Sequence, residues 1–178
     1  MKREILLSPL GDIEEWVLDI LAKDLAGTFE AAVKRQDGIA IPAEAFDPAR
    51  GQYSSSFLLH TLRTLGGPKK YVKVLAIADV DLYAPGLNFV FGEAEFAGRC
   101  AVISLVRLRQ SFYGIPEDRN LFIARAKKEA VHELGHVWRL EHCADPLCVM
   151  HFSNSLSDTD IKNSSFCPEC RARLRKPR

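Results

Sequence analysis

A chain of 178 residues that is 47% hydrophobic has enough apolar material for one globular domain with a buried core, and too few residues for two of ordinary size. A net charge of +1, with 26% charged residues, argues against a chain that as a whole binds nucleic acid or a membrane surface. The early apolar run Ile5 to Leu7 is too short for a secretion signal, and no run approaches the roughly 18 apolar residues of a membrane span, so a cytoplasmic protein is expected.

In chain order, Glu4 to Leu7 reads as a short strand. Asp12 and Glu15 form a capping-box signal ahead of Ile13, Trp16, Val17, Ile20 and Leu21, whose spacing predicts a helix ending near Gly27. Thr28 to Val33 reads as a second strand, and Ile39 to Gln52, with its prolines and glycines, as a loop. Helical spacing resumes over Tyr53 to Leu65 and stops at Gly66-Gly67. Tyr71 to Ala78 is almost continuously apolar, the pattern of a strand buried on both faces. Asn88 to Phe96 and Cys100 to Leu108, separated by Gly98-Arg99, suggest a hairpin. One long helix is expected from Pro116 to Leu140, then a capping box at Ser157 and Asp160 and a short helix after Pro168. This order implies an α/β (α+β) fold: a mixed, mostly parallel sheet covered by helices. It divides into an N-terminal lobe over residues 1–140 and a cysteine-rich C-terminal lobe over 141–178, within one domain.

Four of the five histidines crowd the end of the long helix. His132 and His136 are four apart, so both face one side and can reach one ion, with Glu133 in the general-base position of an H-E-x-x-H pattern. Zinc in a catalytic site takes three protein ligands and keeps one vertex for water. His142 is the nearest third ligand, but on a continuous helix it would sit about 240° away from His136. The helix must therefore end between them. Cys143 and Cys148, then Cys167 and Cys170, have the pair spacings of a closed Cys₄ zinc site, which folds a chain and does no hydrolysis; Cys100 stands apart in a strand-like run and reads as a buried apolar residue. Two zinc ions per chain follow. Because Cys143 directly succeeds His142, the second site should support the first.

The run His132, Glu133, His136, His142, followed by Met150, resembles the metzincin pattern H-E-x-x-H-x-x-G-x-x-H with a Met-turn. Its continuation through Cys143, Cys148, Cys167 and Cys170 resembles the archaemetzincins in particular, small zinc-dependent metallopeptidases. The resemblance implies a twisted sheet with one antiparallel edge strand. It also implies a catalytic zinc on the three histidines, Glu133 as general base, and Met150 as an apolar floor beneath the metal. One position departs: Arg139 stands where the family has the glycine that ends the helix. A residue with a Cβ costs about 1–2 kcal/mol there if positive φ is required.

In such an enzyme water near a pKa of about 7 attacks a peptide carbonyl while Glu133 moves its proton to the leaving amine. The resemblance places an extended peptide along the edge strand, here the segment Asn88 to Glu95. Arg107, Arg109, His151 and Tyr83 are candidates for stabilising the oxyanion. With no inhibitory segment ahead of Glu4, the cleft itself must restrict access, which favours short peptides and a monomer. Two other readings stay open. One is a non-catalytic zinc protein whose tail (Arg171, Arg173, Arg175, Lys176, Arg178) binds nucleic acid or a partner, and the other is a zinc hydrolase of non-peptide amides or esters.

Overall fold

The computed structural model describes residues 3–63 and 72–176. Its elements run β1 (Arg3–Leu10), α1 (Glu15–Phe29), β2 (Ala31–Arg35), β3 (Phe46–Asp47), β4 (Gln52–Ser54), α2 (Ser55–Leu62), β5 (Val72–Ala78), β6 (Leu82–Tyr83), β7 (Gly92–Ala94), β8 (Cys100–Ser104), α3 (Arg119–Val137), α4 (Leu156–Ile161) and α5 (Pro168–Arg175). The main sheet has the order β2-β1-β5-β8-β7 and is parallel except for β7, which runs antiparallel to β8 at the edge. This is the mixed, mostly parallel sheet that the sequence implies.

Strand periodicity explains the layers. Ile5, Leu7, Leu75, Ile77, Ala101 and Ile103 point to one face and pack with α1 and α3. Their neighbours Val74, Ala76, Cys100 and Val102 point to the other and pack on Leu58, Leu59 and Leu62 of α2. Both faces are covered, so the central strands carry no polar alternation. Cys100 lies inside the second layer, where burial and the nearby Glu95 carboxylate push its thiol up to about 11.

Several local expectations move. Helix α1 does not use Asp12 and Glu15 as a capping box: its N-cap is Glu14, without a side-chain bond, while Glu15 is drawn to Arg35. The helix also runs through Gly27, because Phe29 is buried against Trp138 with ring centroids 4.5 Å apart; it ends at Glu30 in the left-handed region. The second strand therefore starts at Ala31. Gln52 and Tyr53 belong to a small sheet of order β3-β4-β6, so α2 begins only at Ser55, capped by Ser54. The expected stop at Gly66-Gly67 lies outside the described residues. The hairpin is shorter than expected, with a 3-10 turn over Val106–Leu108. The C-terminal capping box is Ser155 with Asp158, two residues ahead of the expected pair, because Asp160 is held in an ion pair by Arg125 at 2.6 Å.

The small sheet matters because it carries the approach to the edge strand. Arg50 Nη2 donates to the carbonyls of Leu87 (2.8 Å) and Asn88 (3.1 Å), and Gln52 Nε2 donates to Asn88 O (3.0 Å). The chain entering β7 is thus fixed from behind. Glu93 of β7 accepts hydrogen bonds from Ser55 and Ser56 in the first turn of α2, a placement that suits a carboxylate.

At the β7–β8 turn, burial raises the Glu95 carboxyl, but Arg63 and the amides of Arg99 and Cys100 outweigh it and hold it below the usual carboxylate range. A depressed folded pKa stabilises fully above the unfolded value of about 4.3 and is lost as pH falls through the folded one. Glu95→Gln should therefore be less stable than wild type near neutrality, with the gap in urea midpoint closing below about pH 4. A gap that persists in acid would assign the effect to packing.

Candidate active site

Asp118 starts α3 by accepting from the amides of Asn120 (2.9 Å) and Leu121 (3.1 Å). The helix crosses the sheet face and ends where the motif sits. At its C-terminus the Leu140 amide donates to Gly135 O and the Arg139 amide to His136 O, both at 2.9 Å. These are the two bonds of a Schellman turn. Arg139 occupies its left-handed position with φ of 66° and is exposed. The turn that glycine usually makes is made here by arginine, with its side chain out of the cleft.

That turn does more than end the helix. It presents Leu140 O to His136 Nδ1 at 2.7 Å, and the chain folding back presents Val149 O to His132 Nδ1 at 2.8 Å. A carbonyl can only accept, so both Nδ1 atoms carry the proton and both Nε2 atoms are bare. The two Nε2 atoms face each other at 3.1 Å. His142 joins them, and ligand atoms of all three rings lie within 4.8 Å of one another. A tetrahedral ion with bonds of about 2.0–2.1 Å would hold two nitrogens roughly 3.3 Å apart. Two facing lone pairs are repulsive without a cation between them, so these residues fit a zinc ion. Burial pushes all three imidazoles below their usual range, most strongly His132, and so favours the neutral ligand form.

Met150 packs beneath. A Cβ added to Gly135 would lie 2.4 Å from its Sδ, so the glycine inside α3 is there to admit the thioether. Gly92 on the edge strand is constrained in the same way: a Cβ would lie 2.7 Å from Glu133 Cγ and 3.0 Å from its Oε1. Glu133 is thereby pressed between the helix and β7. Burial, reinforced by Glu129 one turn earlier, pushes its carboxyl well above the usual range.

The histidines and Glu133 line a cleft of about 570 Å³ together with residues 87–94 and Phe152. Three further charged residues line it: Glu93 on the edge strand, and Glu129 and Lys162, which the motif did not reveal. Glu129 was within reach of helical periodicity, being four residues before Glu133. Lys162 was not, since it arrives only because α4 docks on α3. The four oxyanion candidates do not line this cleft. Arg107 pairs with Asp81, Arg109 with Asp79, Tyr83 lies under Arg50, and His151 Nδ1 bonds to Cys143 O.

The four cysteine sulfurs also lie within 4.8 Å of one another, with Cys143 Sγ 3.8 Å from Cys167 Sγ. A tetrahedron of zinc–sulfur bonds of about 2.3 Å has edges of roughly that length. Backbone amides of Cys167 and Cys170 donate to the sulfurs of Cys148 (3.3 Å) and Cys167 (3.4 Å). Amides aimed at sulfur suit thiolates; the Cys170 amide lowers the Cys167 thiol, whereas burial raises Cys148 and Cys170. Four crowded thiolates need a cation to neutralise them, and zinc fits. In the tail beyond, Arg173 pairs with Glu169, Arg175 with Glu30, and Arg171 lies over Phe166.

Residues 35–176 match the model of peptidase family M54. The chain belongs to that family. It is 42% identical to the archaemetzincin of Methanocaldococcus jannaschii over 98% of this chain and 94% of the relative. The crystal structure of archaemetzincin from Methanopyrus kandleri is 38% identical and superposes with a TM-score of 0.86, covering 98% of this chain and 94% of that one. A zinc-dependent peptidase from Methanocorpusculum labreanum is 30% identical with a TM-score of 0.83, covering 96% and 100%. An archaemetzincin is thus what the motif implied, and the chain is a zinc metallopeptidase acting on peptides. Among the described residues no helix is long and apolar enough to cross a membrane.

Two substitutions test the turn and the floor. Arg139→Gly relieves a strained left-handed residue and should raise stability by about 1 kcal/mol. Gly135→Ala gains helix propensity but collides with Met150, and should cost roughly 1–3 kcal/mol. Urea denaturation of both variants checks the signs, and a stabilised Gly135→Ala would mean that the thioether does not need this space.

Proposed function

We propose that His132, His136 and His142 hold the catalytic zinc, that Glu133 is the general base, and that Cys143, Cys148, Cys167 and Cys170 hold a second, structural zinc. The observation that carries this reading is the pair of bare Nε2 atoms 3.1 Å apart, with Glu133 beside them on the cleft wall. Zinc held by the three histidines would supply Lewis acidity to a water and to a carbonyl oxygen.

The chain's own residues supply the rest. Glu133 takes a proton from the attacking water and returns it to the leaving amine. His132 and His136 are held in one tautomer and one orientation by the Val149 and Leu140 carbonyls. Met150 forms the Met-turn floor and keeps water from the underside.

The peptide lies along the outer edge of β7, within the segment Asn88 to Glu95. Three features support this placement: β7 has a strand on only one side among the described residues, its approach is anchored by Arg50 and Gln52, and its edge lines the cleft. The cleft is the size of a small-ligand pocket, which favours short peptides over folded proteins.

Native mass spectrometry should count two zinc ions per chain in wild type and one in His136→Ala. Glu133→Gln should keep both and lose roughly a hundredfold to ten-thousandfold in kcat against a peptide library. A single zinc in wild type would contradict the second site, and unimpaired hydrolysis by Glu133→Gln would contradict the role of the glutamate.

A further inference from the structure

The mechanism gives no role to Glu93, the middle residue of β7, although it lines the cleft. Register fixes where its side chain goes. Gly92 is paired with Ile103 and Glu93 with Val102, so the two neighbours of β7 face opposite sides of the sheet, as the two of β8 do. Ile103 packs in the layer of α1 and α3, and Val102 in that of α2. Gly92 accordingly abuts Glu133, whereas Glu93 points to the other face and meets the first turn of α2.

There Ser55 Oγ donates to Glu93 Oε2, and Ser56 Oγ lies 3.1 Å from each carboxylate oxygen. These hydroxyls orient the carboxylate but do not neutralise it. Among the described residues Glu93 pairs with no cation, in contrast to Glu95 just beyond the same strand, which Arg63 holds. A carboxylate accepts at about four lone-pair positions, so two hydroxyls leave room for another donor. The side chain is half-buried on the cleft lining, where a substrate can reach it.

A peptide strand laid beside β7 turns its side chains alternately to the same two faces. The residue opposite Glu93 brings its Cβ to about 4.5–5.5 Å from that of the glutamate. Gly92 marks the level of Glu133 on the strand and Glu93 comes next, so this peptide residue stands close to the bond that is cut. We propose, on the reading that the peptide lies along β7, that Glu93 determines specificity by receiving a positively charged group of the substrate. That group is the side chain of a lysine or arginine, or the terminal ammonium of the peptide. A carboxylate already oriented by two serines loses little freedom in taking up a cation, and an acidic residue in the same place is repelled.

The test uses the zinc-loaded full chain and peptide pairs that differ only in lysine against norleucine, scanned along the sequence, each with a free and an acetylated N-terminus. In wild type, kcat/KM should favour lysine by roughly 3–10-fold at one position near the cleaved bond, with glutamate there worse than norleucine. A preference for free over acetylated termini instead would identify the cation as the terminal ammonium. In Glu93→Gln, which keeps an acceptor for the serines, the preference should vanish; Glu93→Thr, a strand former, gives the same reading if the first variant does not fold. A purely structural role at the head of α2 would lower both rates and leave their ratio alone. Wild type that ignores both lysine and the terminal ammonium would overturn the proposal, as would an undiminished preference in the variants. If N-methylation of the substrate amides on both sides of the cleaved bond left hydrolysis intact, the placement along β7 would fall and the proposal with it. If N-methylation abolished hydrolysis while wild type showed no preference, the proposal alone would fall.

Discussion

The contact of Met150 with Gly135 is the constraint on which the site depends. The thioether occupies the space where a side chain at position 135 would be, so the loop that carries it is seated against α3 at one height only. The same loop delivers Val149 O to His132 and the Met150 carbonyl to the amide of Cys143 at 3.0 Å. One short segment thus orients a histidine through its backbone, floors the cleft through a side chain, and anchors the start of the cysteine cluster. Between His142 and Cys143 the two candidate metal sites meet without a spacer.

The rest of the fold supports this arrangement at some energetic cost. One imidazole, two carboxyls and an ammonium are buried around one cleft (His132, Glu129, Glu133 and Lys162), and none of them adds to the apolar core. What offsets them is the doubly covered sheet, whose central strands β5 and β8 bury apolar residues on both faces. The edge strand is kept from drifting by polar clasps on its far side, from Arg50, Gln52, Ser55 and Ser56. Helix α3 and strand β7 thus pack Glu133 directly against the strand edge at Gly92.

The motif was legible because its chemistry is local. A four-residue step on a helix fixes the first two histidines, and the geometry of a helix requires an end before His142. Strand pattern likewise revealed the buried sheet. Boundaries were less legible where a distant partner decides them. Two overlapping Ser-x-x-Asp frames compete at the start of α4, and Arg125, far away in sequence, settles the choice by taking Asp160. Glu15 is lost to Arg35 in the same way, and Gly27 fails to stop a helix whose next buried anchor is Phe29. Arg139, in place of the family glycine, left the local turn in doubt. It adopts the left-handed conformation itself, because the two backbone bonds and buried Leu140 hold the turn closed around it. Lys162 could not be found from pattern at all, since only tertiary docking brings it to the cleft.

The central claim is that the Met-turn loop is a wall shared by both proposed metal sites. It is tested most directly by measuring zinc affinity at the histidines, by competition with a chelator, in Cys167→Ser beside wild type. The account predicts at least about tenfold weaker binding at the histidines when the cysteine cluster is opened. Equal affinity in the two proteins would show that the sites are neighbours in sequence only, and would contradict it.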